Sequence, residues 1–168
     1  ILNYESGVED FSYGGALSNF GDLTIVNSCF FRNSVGATVD IYGYGGSIYN
    51  KGKAVIRNSS FSKSKSIDFG YGAAIANDGV LFFDNGVIQN SVALQECKGS
   101  AIYNAGNFTL TNSIIKDNSI RRSNFNTVFG AVYNAGLLTG YGNIFKIKYL
   151  FLHKIANYKK QKAHETTD

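Results

Sequence analysis

The sequence predicts an all-β chain wound into a parallel β-helix, a solenoid of about five coils with 27–31 residues per coil. Three observations carry that expectation. The phrase GALSNFG (15–21) returns as GSIYNKG (46–52), AAIANDG (73–79), SAIYNAG (100–106) and GAVYNAG (130–136), so its anchor residues Asn19, Asn50, Asn77, Asn104 and Asn134 are spaced by 31, 27, 27 and 30 residues. After each anchor, apolar and polar residues alternate with period two, the mark of a strand with one buried face. The composition, with 19 Gly, abundant Asn and Ser, and no Pro, Met or Trp, suits short strands joined by close turns.

Counted from the anchor, each unit can be read in order. Apolar residues stand at minus 2 (Leu17, Ile48, Ile75, Ile102, Val132), plus 4 (Leu23, Ala54, Leu81, Phe108, Leu138), plus 6 (Ile25, Ile56, Phe83, Leu110) and plus 11 (Phe30, Phe61, Ile88, Ile115, Phe145). These four columns are the expected core. Gly fills plus 2 in every unit (Gly21, Gly52, Gly79, Gly106, Gly136), and Asn-x-Gly predicts a tight corner with positive φ at the glycine. A second Asn row at plus 8 (Asn27, Asn58, Asn85, Asn112) predicts the next corner, with side-chain amides able to bond up and down the stack. A unit then holds about three strands, two fixed corners and one elastic loop. Stacking at about 4.8 Å would give a rod of roughly 24 Å with a continuous core.

Residues 1–12 read as the end of a preceding coil, 13–145 as the repeats, and 146–168 as something different. That last stretch lacks Gly and corners, and reads either as a short capping helix (Tyr149, Leu150, Leu152, Ile155, Ala156) or as a disordered basic tail. A leucine-rich horseshoe is disfavoured because the return of each unit is Gly-rich and strand-like.

The net charge of +4 does not indicate a nucleic-acid partner. Residues 1–145 hold ten Lys or Arg against ten Asp or Glu, and the excess lies in the tail. The chain starts at Ile1 and has no apolar run of about 18 residues, so it reads as part of a longer protein, with any membrane contact through an anchor outside it. Cys29 and Cys97 fall in different columns and read as unpaired packing residues. Of two sequons, Asn58-Ser59-Ser60 is expected to be sealed in its corner ladder and Asn107-Phe108-Thr109 to be exposed.

Gly-Gly-Ala-Leu (14–17), Gly-Gly-Ser-Ile (45–48) and Phe30-Phe31-Arg32-Asn33 carry a resemblance. The chain resembles polymorphic-outer-membrane-protein repeats, and its Ile-Tyr-Asn-x-Gly phrases look like those of the adhesin-like proteins of methanogenic archaea. The resemblance covers 13 to about 145, with departures at Gly72-Ala73-Ala74-Ile75 and Gly99-Ser100-Ala101-Ile102 that keep the residues small. It implies a right-handed β-helix stalk or passenger displayed outside the cell, adhesive and without catalytic residues.

Two tyrosine rows are the candidate ligand surface. Tyr13, Tyr44 and Tyr71 close the elastic segment before each corner, and Tyr49, Tyr103 and Tyr133 lie beside the anchor Asn, pointing outward by alternation. Such rings can pack on sugar faces, and the second row is expected to be dispensable for folding. Asp10, Asp40 and Asp68 form an acidic row that could hold calcium, the one cofactor the sequence suggests, or could simply cap turns. Glycosidase chemistry needs two carboxylates facing one cleft. Along the strands only Asp84, and Asp22 beside a corner, are acidic, and both His lie in the tail, so the expected function is non-enzymatic. The expected partners are glycans or neighbouring cell-surface proteins. A fragment of a polysaccharide-active enzyme and a pure spacer stay open as alternatives.

Overall fold

A computed structural model describes residues 10–36, 41–67, 69–94, 97–121 and 130–146. All strands pair in parallel, and among the described residues there is no helix. The chain is a β-solenoid that returns to its anchor Asn four times between Asn19 and Asn134, making about four turns. Register follows the sequence anchor: Asn19 pairs with Asn50, Asn50 with Asn77, Asn77 with Asn104 and Asn104 with Asn134.

Among the described residues each of the first three coils holds five short strands rather than the expected three, the fourth holds four and the fifth three, and like strands stack into five sheets. The tyrosine sheet contains Asp10–Tyr13, Ile41–Tyr44 and Gly70–Tyr71. The anchor sheet contains Leu17–Asn19, Ile48–Asn50, Ile75–Asn77, Ile102–Asn104 and Val132–Asn134. A third sheet has the longest strands: Asp22–Val26, Lys53–Arg57, Val80–Asp84, Asn107–Thr111 and Leu137–Tyr141. Two more, starting at Cys29–Phe31 and Ser34–Val35, complete the coil. The last described strand is Ile144–Lys146, so Lys146, the first residue of the expected cap or tail at 146–168, belongs to a strand, and the rest of that segment lies outside the described residues.

The four apolar columns meet inside as one core, except that Phe145, in the last described coil with no described coil stacked on it, is 49% exposed and lies outside that core, contrary to expectation. Ile48, Ile56, Phe61, Ile75, Phe83, Ile88 and Ile102 are fully buried, and Phe30 stacks on Phe61 at 4.5 Å with rings 4° from parallel. Such stacking adds about 0.5–1.5 kcal/mol beyond burial. Beside the core runs a ladder of anchor amides. The Nδ2 of Asn19, Asn50, Asn77 and Asn104 each donates to the Oδ1 of the next anchor at 2.7 Å. Its direction is fixed by the surroundings, because the Nδ2 of Asn50 also faces the carbonyl oxygens of Gly52 and Val80, which only a donor can satisfy.

The corner glycines at plus 2 differ from expectation. None of Gly21, Gly52, Gly79, Gly106 and Gly136 has positive φ. They are needed because coils touch there. Ala105 and Gly106 both donate their N–H to the carbonyl of Asn77, at 2.8 and 3.1 Å, and the same convergence recurs in the other coils. A Cβ on Gly52, Gly79, Gly106 or Gly136 would overlap the backbone carbonyl oxygen of the glycine one coil before it. Positive φ falls instead on the plus 8 row, at Asn27, Asn58, Asn85 and Asn112, and at Gly142 where the fifth strand set continues that row. It falls also on Gly14 and Gly45, the first residues of the Gly-Gly phrases, and on Gly72 and Gly99, which precede Ala73 and Ser100 at the same place in later coils. In the plus 8 row only Asn85 and Asn58 bond side chain to side chain, at 2.8 Å. Asn58 is exposed there, contrary to expectation, whereas Asn107 is exposed as expected. Cys97 is buried, but Cys29 is exposed and does not pack.

Candidate functional site

The tyrosine sheet turns its rings outward because its inward positions are filled by the smallest residues. Ser12, Gly43 and Gly70 alternate with the tyrosines, and a Cβ on Gly43 would press on Val35 at 3.0 Å and Ser66 at 3.2 Å. Gly14, Gly45 and Gly72 then turn the chain in the left-handed region, with φ of 57, 68 and 66°. The anchor sheet follows at once. Its alternation buries Ile48 and Asn50 and sends Tyr49 to the outside, as it does Tyr103 and Tyr133.

Across this corner the outward rings of the two sheets touch. Tyr13 stacks on Tyr44 at 5.2 Å, and Tyr44 on Tyr71 at 4.4 Å with planes 3° apart. From the anchor sheet, Tyr49 meets Tyr13 at 4.6 Å, Tyr103 meets Tyr71 edge-on at 4.8 Å, and Tyr133 stacks on Tyr103 at 5.6 Å. The six tyrosines that the sequence divides into two rows are therefore one aromatic strip along the solenoid axis. Phe11 and Tyr42 extend it, 5.5 Å apart, and Tyr42 in turn meets Phe69 at 5.4 Å.

Exposure along the strip is uneven. Tyr13 is 41% exposed, Tyr44, Tyr71, Tyr103 and Tyr133 are half-buried, and Tyr49 is only 4% exposed beneath Tyr13, Tyr44 and Phe20. Tyr49 thus points away from the core, as the alternation predicts, but packs as a buried residue. Its removal is expected to cost stability, unlike the dispensable row read from the sequence.

Two charges flank the strip. Tyr49 donates its hydroxyl to Asp78 Oδ2 at 2.8 Å, just past the Asn77 end of the anchor sheet. At the opposite, glycine end stands Lys98, its Nζ 5.2 Å from the Tyr71 ring centroid and 5.6 Å from that of Tyr133. Phe20, Asp78 and Lys98 were not singled out in the sequence, yet Lys98 had a signal. It precedes Gly99 where the three earlier coils place Tyr13-Gly14, Tyr44-Gly45 and Tyr71-Gly72.

Burial, reinforced by the nearby Asp78 carboxylate and neighbouring phenols, raises Tyr103 to about 12. Burial likewise raises Tyr13, Tyr44 and Tyr49, with the Asp78 hydrogen bond adding to the effect on Tyr49. Tyr13, Tyr44, Tyr49 and Tyr103 therefore offer hydroxyls rather than phenolates at any ordinary pH. Because the folded values exceed the unfolded value of 10.0, the unfolded chain ionises first. Stability is expected to be intact below pH 10 and to fall as pH rises from there through about 12, in thermal melts at stepped pH. A flat profile across that window would contradict the packing of the strip.

Asp40 and Asp68 lie outside the described residues, and Asp10 opens the first strand of the tyrosine sheet. Among the described residues no group of three or more His, Cys, Asp or Glu could hold a metal ion. Asp84 accepts hydrogen bonds from Thr111 Oγ1 at 2.6 Å and Asn112 Nδ2 at 3.1 Å, which hold its carboxyl below the usual range. A carboxylate so held is a poor general acid. Among the described residues no helix is long and apolar enough to cross a membrane. Comparison of the chain with protein-family models, with curated proteins and with solved structures gave no match.

Proposed function

We propose that this chain is part of a surface-displayed, adhesin-like stalk, a right-handed β-helix counted as five coils, that attaches to glycans outside the cell and carries no catalytic site. Neighbouring cell-surface proteins, through the glycans they carry, are the second partner class. The observation that supports this reading most is the aromatic strip. Tyr13, Tyr44 and Tyr71 repeat at centroid spacings of 5.2 and 4.4 Å along the axis, close to the length of one pyranose unit in an extended chain. Because the rings stack on one another, the row offers their outer edges and hydroxyls, repeated once per coil, to the C–H groups and oxygens of successive sugars. The hydroxyls of Tyr13 and Tyr44, held protonated by burial, keep both hydrogen-bonding roles.

The test is retention of the protein on a panel of insoluble polysaccharides, with new reducing or unsaturated ends measured in the same samples. Retention without product is expected. Tyr44→Ala and Tyr71→Ala should each weaken it about tenfold, the equivalent of about 1.4 kcal/mol, while circular dichroism verifies that the solenoid persists. Release of product would favour a polysaccharide-active enzyme, and absence of both signals would favour a spacer.

A further inference from the structure

We propose that the strip selects acidic glycans, seating a sugar carboxylate on Lys98. This rests on the glycan reading above and specifies its substrate class. Lys98 is the fourth member of the column formed by Tyr13, Tyr44 and Tyr71, joined to Tyr71 by a parallel bridge. Its backbone is held on both sides: its N–H donates to the Gly70 carbonyl at 2.7 Å, and its carbonyl accepts from the Gly72 N–H at 2.9 Å. The ammonium is therefore fixed at the end of the aromatic row rather than carried on a free loop.

Its environment favours an anion. Lys98 is half-buried, and its Nζ is set against the rings of Tyr71 and Tyr133. Ring faces stabilise the charge without accepting its N–H bonds in the way a carboxylate would. Among the described residues no carboxylate forms an ion pair with it. A partly desolvated cation with donors to spare gains more from a ligand carboxylate than a fully hydrated surface lysine does. Asp78 does not oppose this. It stands at the other end of the anchor strands and is engaged by the Tyr49 hydroxyl, so an acidic sugar is directed to the Lys98 margin and sugar hydroxyls to the Asp78 margin.

β-1,4-linked mannose and mannuronate oligosaccharides of equal length isolate the charge, since they share stereochemistry and differ at the C6 carboxylate. Their binding is measured by titration calorimetry on the full chain. The expected result is a preference of about tenfold for mannuronate, lost in Lys98→Gln and lessened by added salt. Lys98→Arg, which retains the charge above the rings, should keep the preference, and so should Lys53→Gln, which removes an equal charge from a different sheet. Equal binding of the two oligosaccharides by the parent, or a preference that survives Lys98→Gln, would overturn the assignment and leave the glycan reading standing. Binding of neither would overturn both.

Discussion

Replacing Asn77 by Asp should lower the melting temperature by about 10 °C or more, although the two side chains have the same shape. Asn77 is fully buried at the centre of the amide ladder. Its Oδ1 accepts from Asn50, and its Nδ2 donates to the Asn104 Oδ1 at 2.7 Å while facing the carbonyl oxygens of Gly79 and Asn107 at 3.2 and 3.3 Å. In Asp the donor becomes an oxygen, so acceptors would face one another around a buried charge. Breaking such a network by removing one partner costs about 3–5 kcal/mol, a large share of the roughly 5–15 kcal/mol that holds a domain folded. The same change at Asn134 should be mild. That residue is the last of the ladder among the described residues, is half-buried, and still offers Asn104 an acceptor, losing only the bond its Nδ2 donates to the Gly136 carbonyl at 2.9 Å. Acidification should recover part of the loss at position 77, because the fold raises the pKa of a buried carboxyl and its protonated form regains a donor. Equal melting temperatures for the two variants would mean that the amides are not coupled as a ladder.

The ladder also explains how much of the fold the sequence made legible. An Asn that must bond its own copy above and below cannot drift in register, so the spacing of the anchors was enough to align the strands. The four apolar columns followed because a residue in the core must be matched by a residue in the core one coil later. The number of strands was not legible in the same way. Segments as short as Ser34–Val35 and Lys65–Ser66 are too brief to show alternation, and three-residue strands such as Cys29–Phe31 show it once. The candidate site was half legible. Each tyrosine row was visible, but their meeting depends on the sense of the bend at Gly45 and Gly72, which is set by a positive φ that a glycine permits and does not announce. Lys98 was hidden by its chemistry, since a lysine in a tyrosine column reads as a lapse in the pattern until its ammonium is found against the rings.

The glycines at plus 2 provide the second large effect, and one that separates two explanations of the same residue. If Gly79 were conserved in the repeat for positive φ, Gly21 would be needed equally, because both occupy the same corner. The coils instead differ by what lies beneath them. A Cβ on Gly79 would overlap the Gly52 carbonyl oxygen and the Lys51 carbonyl group, all backbone atoms of the coil before, whereas a Cβ on Gly21 would have nothing within 4 Å. Relief at Gly79 requires the coils to part, which strains the hydrogen bonds that Asp78 and Gly79 make to the Asn50 carbonyl at 2.8 and 3.1 Å and the amide ladder beside them. Gly79→Ala is therefore expected to cost about 3 kcal/mol, at the upper end for overpacking by a methyl group. Gly21→Ala should be neutral or stabilise by about 0.4–1 kcal/mol, since it restricts the unfolded chain without a clash in the folded one. Urea denaturation of the two variants decides between the accounts: equal losses would restore the backbone-conformation explanation, while a loss at Gly79 alone assigns the glycine row to the close stacking of one coil on the next.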